Sequence, residues 1–224
     1  KIQLDNKRLN EIKFVSDNSD LRKAIYQEFG DTVYSTKSED RKAIEDYLLE
    51  YFLNNEEDEE AEVVELEVSN LNKKQKKIYN QVISITSWLR DKQLYNEALV
   101  LAKELGTDEM NDINEFLKKY KQICKDKGFK HAAKETKDLR KCITWTDKTA
   151  VAEIKSKAKD GTIHYVSDPA LKDSENIPLK QNIQEFFEQE VLPFAPDAWW
   201  NKEETKIGYE INFNKYFYKY QAPR

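Results

Sequence analysis

Apolar residues recur at three- and four-residue spacing between residues 16 and 125, the period of helices that bury one face. Leu21, Ile25 and Phe29 align at fours over residues 16–29, with Ser16 or Asp17 as cap and Gly30 as terminator. Ile44, Leu48 and Phe52 do the same over 38–54, beside Tyr47, Leu49 and Tyr51, with Ser38 as cap. Residues 73–92 carry Ile78, Val82, Ile85 and Leu89 together with Trp88. A helix over 95–105 ends at Gly106, and one over 109–125 carries Ile113, Phe116, Leu117, Tyr120 and Ile123 before Gly128. Short connections between these segments predict antiparallel neighbours. A further helix is expected over 150–158.

Beyond Trp145 the pattern changes. Asp160-Gly161 reads as a turn into a short strand, 162–166, which Ser167-Asp168-Pro169 ends. Residues 180–191 read as an amphipathic helix with Ile183, Phe187 and Val191 on one face, Phe186 beside them, and Pro178 and Pro193 at its ends. From Lys206 the period becomes two: Ile207, Tyr209, Ile211 and Phe213 point one way and Gly208, Glu210, Asn212 and Asn214 the other, a half-buried strand over 207–213. The strands 162–166 and 207–213 are expected to pair. The fold class is therefore mainly α: a multi-helix bundle or array over 1–146, then a small α+β region over 147–224 with one or two short strands.

Charge adds two features. Residues 54–62 are an acidic run read as a solvated loop, and residues 118–141 are a basic segment. Within the latter, Lys130, Lys134, Lys137, Arg140 and Lys141 are candidate contacts to a DNA backbone; the alternative is a solvated helix face. The formal net charge is −5, so electrostatics do not make the whole chain a DNA binder by itself. Two cysteines and two histidines without ligand spacing give no metal pattern, and no site is expected. His164 has no Ser, Cys or carboxylate constellation around it in sequence and reads as structural. No leader sequence or bilayer-length apolar run is evident, which points to a reduced, cytoplasmic setting and no membrane partner. A chain that starts at Lys1, with Met110 its only methionine, reads as a fragment or a processed product.

The final third carries ordered blocks: Asn176-Ile-Pro-Leu179, Phe186-Phe187, Glu190-Val-Leu-Pro193, Pro196-Asp-Ala-Trp199, and the long run Lys206 to Tyr220. Together they resemble the C-terminal region of the modification (M) subunit of type I restriction-modification systems. Lys1-Ile-Gln-Leu4 also resembles the strand that follows the catalytic domain in that family. The resemblance implies a parent subunit that transfers a methyl group from S-adenosylmethionine to adenine N6 in DNA. It further implies assembly with a specificity (S) subunit, often with a restriction (R) subunit, and contact with DNA through the complex.

The chain itself lacks the motifs of that reaction. Its five glycines are far apart and no Pro-Pro occurs, so there is neither a glycine turn for the cofactor nor an Asn-Pro-Pro-Phe loop for a flipped base. No catalytic, cofactor-binding or metal residues are expected, and no enzyme activity. The candidate interface with the S subunit is Trp199, Trp200, Tyr209, Tyr216, Phe217, Tyr218 and Tyr220, since Trp and Tyr are enriched at binding hot spots. Core packing is the competing reading for the same aromatics. A helical nucleic-acid-binding or protein-interaction module unrelated to methylation is the alternative for the chain as a whole.

Overall fold

Eight α-helices account for most of the secondary structure among residues 1–55, 67–196 and 198–208, which the computed structural model describes. They are α1 (Asn6–Glu11), α2 (Ser19–Phe29), α3 (Ser38–Asn54), α4 (Lys73–Ile83), α5 (Ile85–Leu105), α6 (Ile113–Lys127), α7 (Ala133–Ile143) and α8 (Ile183–Phe186). A two-stranded antiparallel sheet, β1 (Ile154–Lys157) and β2 (Ile163–Tyr165), accompanies them. The acidic run beyond Asn55 lies outside the described residues, as does residues 209–213 of the expected second strand. The chain divides into two compact units, Lys1–Val166 and Ser167–Arg224.

In the first unit α5 is shared by two apolar cores. Its first half sends Trp88 into a cluster with Leu21 and Ile25 of α2, Ile44, Leu48 and Phe52 of α3, Val33, Leu71 and Val82. Its second half sends Leu94, Ala98 and Leu101 against Ile2, Leu4, Leu9 and Ile12, Phe116 and Tyr120 of α6, and Leu139 and Ile143 of α7. Lys1 to Leu4 run extended: Ile2 exchanges backbone hydrogen bonds with Met110 at 2.9 and 2.8 Å, and Gln3 N–H donates to Ile143 O at 3.0 Å. A chain start that buries Ile2 and Leu4 completely is thus part of the core.

Between the two cores lies a polar junction centred on Asp91. Its carboxylate accepts from Arg22 Nη2 at 3.0 Å, Ser16 Oγ at 2.9 Å and Arg90 Nη2 at 2.9 Å. Arg90 Nη2 also lies 3.0 Å from Asp138 of α7. The Arg22 guanidinium, fully buried, stacks 3.8 Å from the centre of the Trp88 ring and donates to Ser87 Oγ at 3.0 Å. Burial lowers the Arg22 pKa from its ordinary value, with Asp91 opposing the shift. Ser16, expected as a helix cap, serves Asp91 instead. Asn18, in left-handed backbone at φ 64°, precedes α2, and its amide donates to Gln81 at 3.0 Å.

The break between α4 and α5 falls at Ser84, whereas the apolar stripe predicts one helix through residue 92. The β-branched run around Ser84 favours extended backbone, and Ser84 has ψ 108°. The carbonyls freed by the break find other donors: Trp88 Nε1 donates to Val82 O at 2.8 Å and Arg41 donates to Ile83 O. Elsewhere the stop signals hold. Gly30, Gly106 and Gly128 end α2, α5 and α6, and Gly128 takes the left-handed conformation at φ 73° that closes a helix with little strain.

The helix expected over 150–158 is not formed; those residues supply β1. Its partner is β2, which forms a local hairpin with it; the expected pairing of 162–166 with 207–213 falls mostly on residues 209–213, outside the described residues. Ile154 faces Tyr165, Ser156 faces His164 and Lys157 faces Ile163, with Lys155 as a bulge. The physical reason lies at both ends. Gly161, at φ 91°, makes the tight turn that brings the strands together, with Thr162 N–H donating to Asp160 at 2.9 Å. At the other end α6 supplies partners: Asn114 accepts from Ile154 N–H at 2.8 Å and donates to Ala152 O at 3.0 Å. Val151 N–H donates to Asn111 O at 2.9 Å. Asn114→Ala removes two bonds, each worth about 0.5–1.5 kcal/mol net. The expected result is faster amide exchange at Ile154 with little change in the helices, checked by exchange-detected NMR.

In the second unit α8 continues through a wider turn, Phe187–Val191, so residues 183–191 are helical as expected. Asn182 caps it, accepting from the backbone N–H groups of Gln184 and Glu185 at 2.8 and 3.3 Å.

Candidate functional site

The described part of the second unit, residues 167–196 and 198–208, contains no buried residue. It nevertheless carries Leu171, Leu179, Phe194, Trp199 and Ile207, exposed by 82, 66, 85, 56 and 83%. Ile183, Phe186, Phe187, Val191 and Leu192 are only half-buried. Isolated exposed apolar residues are ordinary, but a segment with this many and no buried residue is not. Polar local bonds shape it: Lys172 pairs with Glu204, Asp168 caps the Pro169–Leu171 turn, and Trp200 Nε1 donates to Thr205 Oγ1 at 2.9 Å.

Of the sequence-predicted interface residues, Trp199 is exposed and Trp200 half-buried, with Lys202 Nζ 5.3 Å from the ring centre. Tyr209, Tyr216, Phe217, Tyr218 and Tyr220 lie outside the described residues. Among the candidate DNA contacts, Lys134, Lys137 and Lys141 project from α7 into solvent and Lys130 from the loop before it. Arg140 differs from them: half-buried, it is held by an ion pair with Glu153, which leaves its guanidinium partly committed inside the first unit.

The polar clusters of the first unit are structural in form. His131 joins three elements, with Nε2 against Glu97 of α5 and Nδ1 2.6 Å from the Tyr120 hydroxyl of α6. Cys124 Sγ lies 3.8 Å from the same Nδ1. A cysteine, a histidine and a glutamate in line suggest a nucleophile, but burial raises the Cys124 pKa, and the thiol is 9% exposed as a residue. Burial also pushes Tyr120 up to about 12 and Cys142 up to about 11. The Cys124 and Cys142 thiols and the Tyr120 hydroxyl are thereby held in their protonated forms near neutral pH. Cys124 and Glu97 approach opposite nitrogens of the ring, so one ion is not shared between them, and no group of three ligating side chains suited to a metal occurs among the described residues. No helix among the described residues is long and apolar enough to cross a membrane.

Two placements escape the sequence. Asn114 is an unremarked polar residue until the hairpin docks on it. Lys157 comes beside Lys118 and Lys121 only because 150–158 is not helical; the alternation Lys155, Lys157, Lys159 before Asp160-Gly161 was the available signal. Compared with protein-family models, curated proteins and solved structures, the chain matches none.

Proposed function

We propose that the chain is the non-catalytic C-terminal region of a type I modification subunit, acting in assembly with the specificity subunit and in positioning on DNA. The observation that carries this reading is the exposed apolar set of the second unit, of which Leu179, Trp199 and Ile207 lie in the family-like blocks Asn176–Leu179, Pro196–Trp199 and Lys206–Tyr220 and Phe194 directly follows Glu190–Pro193. Apolar and aromatic side chains held at a surface gain most by desolvation against a partner. The parent subunit's methyl transfer from S-adenosylmethionine to adenine N6 belongs, on this reading, to a domain outside these residues, and the setting is cytoplasmic. The restriction subunit joins through the same assembly.

The test is a pair of variants, Phe194→Ser and Trp199→Ser. Both side chains are mostly solvent-facing, so the fold should survive each change. Each is expected to weaken capture of the specificity subunit by about tenfold or more, the scale of an interface hot spot. Unchanged affinity for both, by titration calorimetry, would turn the reading toward the alternative of a helical module unrelated to methylation.

A further inference from the structure

Along the line where the hairpin docks on α6 there is an open groove bordered at one end by three lysines. Lys118 and Lys121 of α6 and Lys157 of β1 line that end through their aliphatic stems, beside Leu117 and Ile154. The groove continues past Lys118 and Asn114 toward Tyr165, Val151, Asp112 and Glu115. The three lysines are exposed, and none forms a salt bridge among the described residues.

The acidic groups nearby are already engaged. Glu115 pairs with Lys119 at 2.8 Å, and Asp112 caps α6, accepting from the backbone N–H groups of Asn114 and Glu115 at 2.8 and 3.2 Å. Glu153 pairs with Arg140, and Asp160 is bound in its own turn. These hydrogen bonds leave the carboxylates charged, and the Glu115 N–H, with the nearby Lys118 ammonium adding to it, holds the Asp112 carboxyl below its usual range; Lys121 and Lys157 form no ion pair among the described residues, although the chain as a whole is acidic. The lysines are also placed by a fixed scaffold: Lys118 and Lys121 share a helix face at i and i+3, and Asn114 staples β1 to that helix.

We propose that this groove seats the phosphate backbone of nucleic acid, with Lys118, Lys121 and Lys157 as the contacts. An open groove bordered by exposed lysines, whose stems line it while their charged heads reach solvent, suits a linear polyanion, which runs past point charges and needs no enclosed pocket. Tyr165, 45% exposed at the far end, offers a hydroxyl donor of the kind that also contacts phosphates. That the polyanion is duplex DNA rests on the proposed function; that the groove holds a phosphodiester backbone rests on its own geometry. The contact surface then lies on α6 and the hairpin, apart from the Lys134, Lys137 and Lys141 face of α7.

The test compares two triple variants of equal charge change, Lys118→Gln/Lys121→Gln/Lys157→Gln and Lys134→Gln/Lys137→Gln/Lys141→Gln. Binding to a short labelled DNA duplex is followed by fluorescence anisotropy across a salt series. Three phosphate contacts give the unaltered chain a slope of log affinity against log salt of about −2.7. The groove triple is expected to flatten that slope to near zero and to weaken binding about tenfold or more at low salt, with the α7 triple within about threefold of the parent. Lys157→Gln alone should reduce the slope by about one, and as a single exposed change on a strand it guards against misfolding of the triple. Equal losses from both triples, a slope indifferent to the groove lysines, or no binding of the unaltered chain at low salt would overturn the proposal. Parallel titrations with single-stranded DNA and double-stranded RNA separate the sources: tighter binding of either, with the same lysine dependence, would overturn the duplex assignment. Failure to capture the specificity subunit with DNA binding intact would sink the assembly reading and leave the groove standing.

Discussion

Replacing Asp91 by alanine is expected to cost the first unit about 3–5 kcal/mol, the usual scale when one partner of a buried ion pair is removed. The Arg22 guanidinium stays behind, fully buried, with its Nε already lacking a hydrogen-bond partner. Ser16 loses its acceptor and Arg90 one of its own, so the link between α2 and α5 is lost at a single point, while Arg90 keeps Asp138 of α7. Urea denaturation followed by far-UV circular dichroism measures the loss. The double change Arg22→Met/Asp91→Leu should recover much of it, since an apolar pair of similar volume removes the stranded charge. A single Asp91→Ala loss below about 1 kcal/mol would mean that water reaches the junction and that its burial does not govern its energy.

Trp88→Ala carries a penalty of similar size, about 3–5 kcal/mol, because the side chain is large and buried among residues of α2, α3 and α4. Its ring meets Phe14 and Tyr34 edge-on at centroid distances of 6.5 and 6.4 Å, and these contacts go with it. Trp88→Phe separates packing from hydrogen bonding. Phenylalanine refills most of the volume but leaves Val82 O, exposed by the break at Ser84, without the indole donor. An unsatisfied buried carbonyl costs about 1–3 kcal/mol, so the Phe variant should fall between the parent and Trp88→Ala. Thermal unfolding of the three proteins orders them; a Phe variant as weak as the Ala variant would assign the whole effect to the hydrogen bond.

Periodicity alone predicts the helical part of the fold because each helix buries a stripe and ends at a residue that cannot continue it. Leu21 and Ile25, Ile44 and Leu48, and Phe116 and Tyr120 all lie where their spacing points them, and Gly30, Gly106 and Gly128 stop their helices. The failures have one cause, tertiary partners that sequence spacing does not contain. Ser84 breaks a good apolar stripe because Trp88 and Arg41 stand ready to take the freed carbonyls. Residues 150–158 run extended and supply the strand Ile154–Lys157 instead of a helix because Asn111 and Asn114, some 40 residues earlier, bind their backbone. The Asp91 junction is invisible for the same reason, since its members Ser16, Arg22, Asp91 and Asp138 read one by one as surface residues. For the candidate surfaces, the apolar content of 171–207 is legible, whereas its exposure is not. The basic segment is legible as charge along the chain, but Lys157 joins Lys118 and Lys121 only through the hairpin.

The most direct measurement is size exclusion with light scattering of this chain mixed with a type I specificity subunit, the partner of the proposed function, at moderate salt. An assembly module with its apolar surface exposed should elute as a complex whose mass is the sum of its parts, and Phe194→Ser should shift the mixture toward free components. Two independent peaks at micromolar concentrations, with the chain folded by circular dichroism, would contradict an assembly role for these residues.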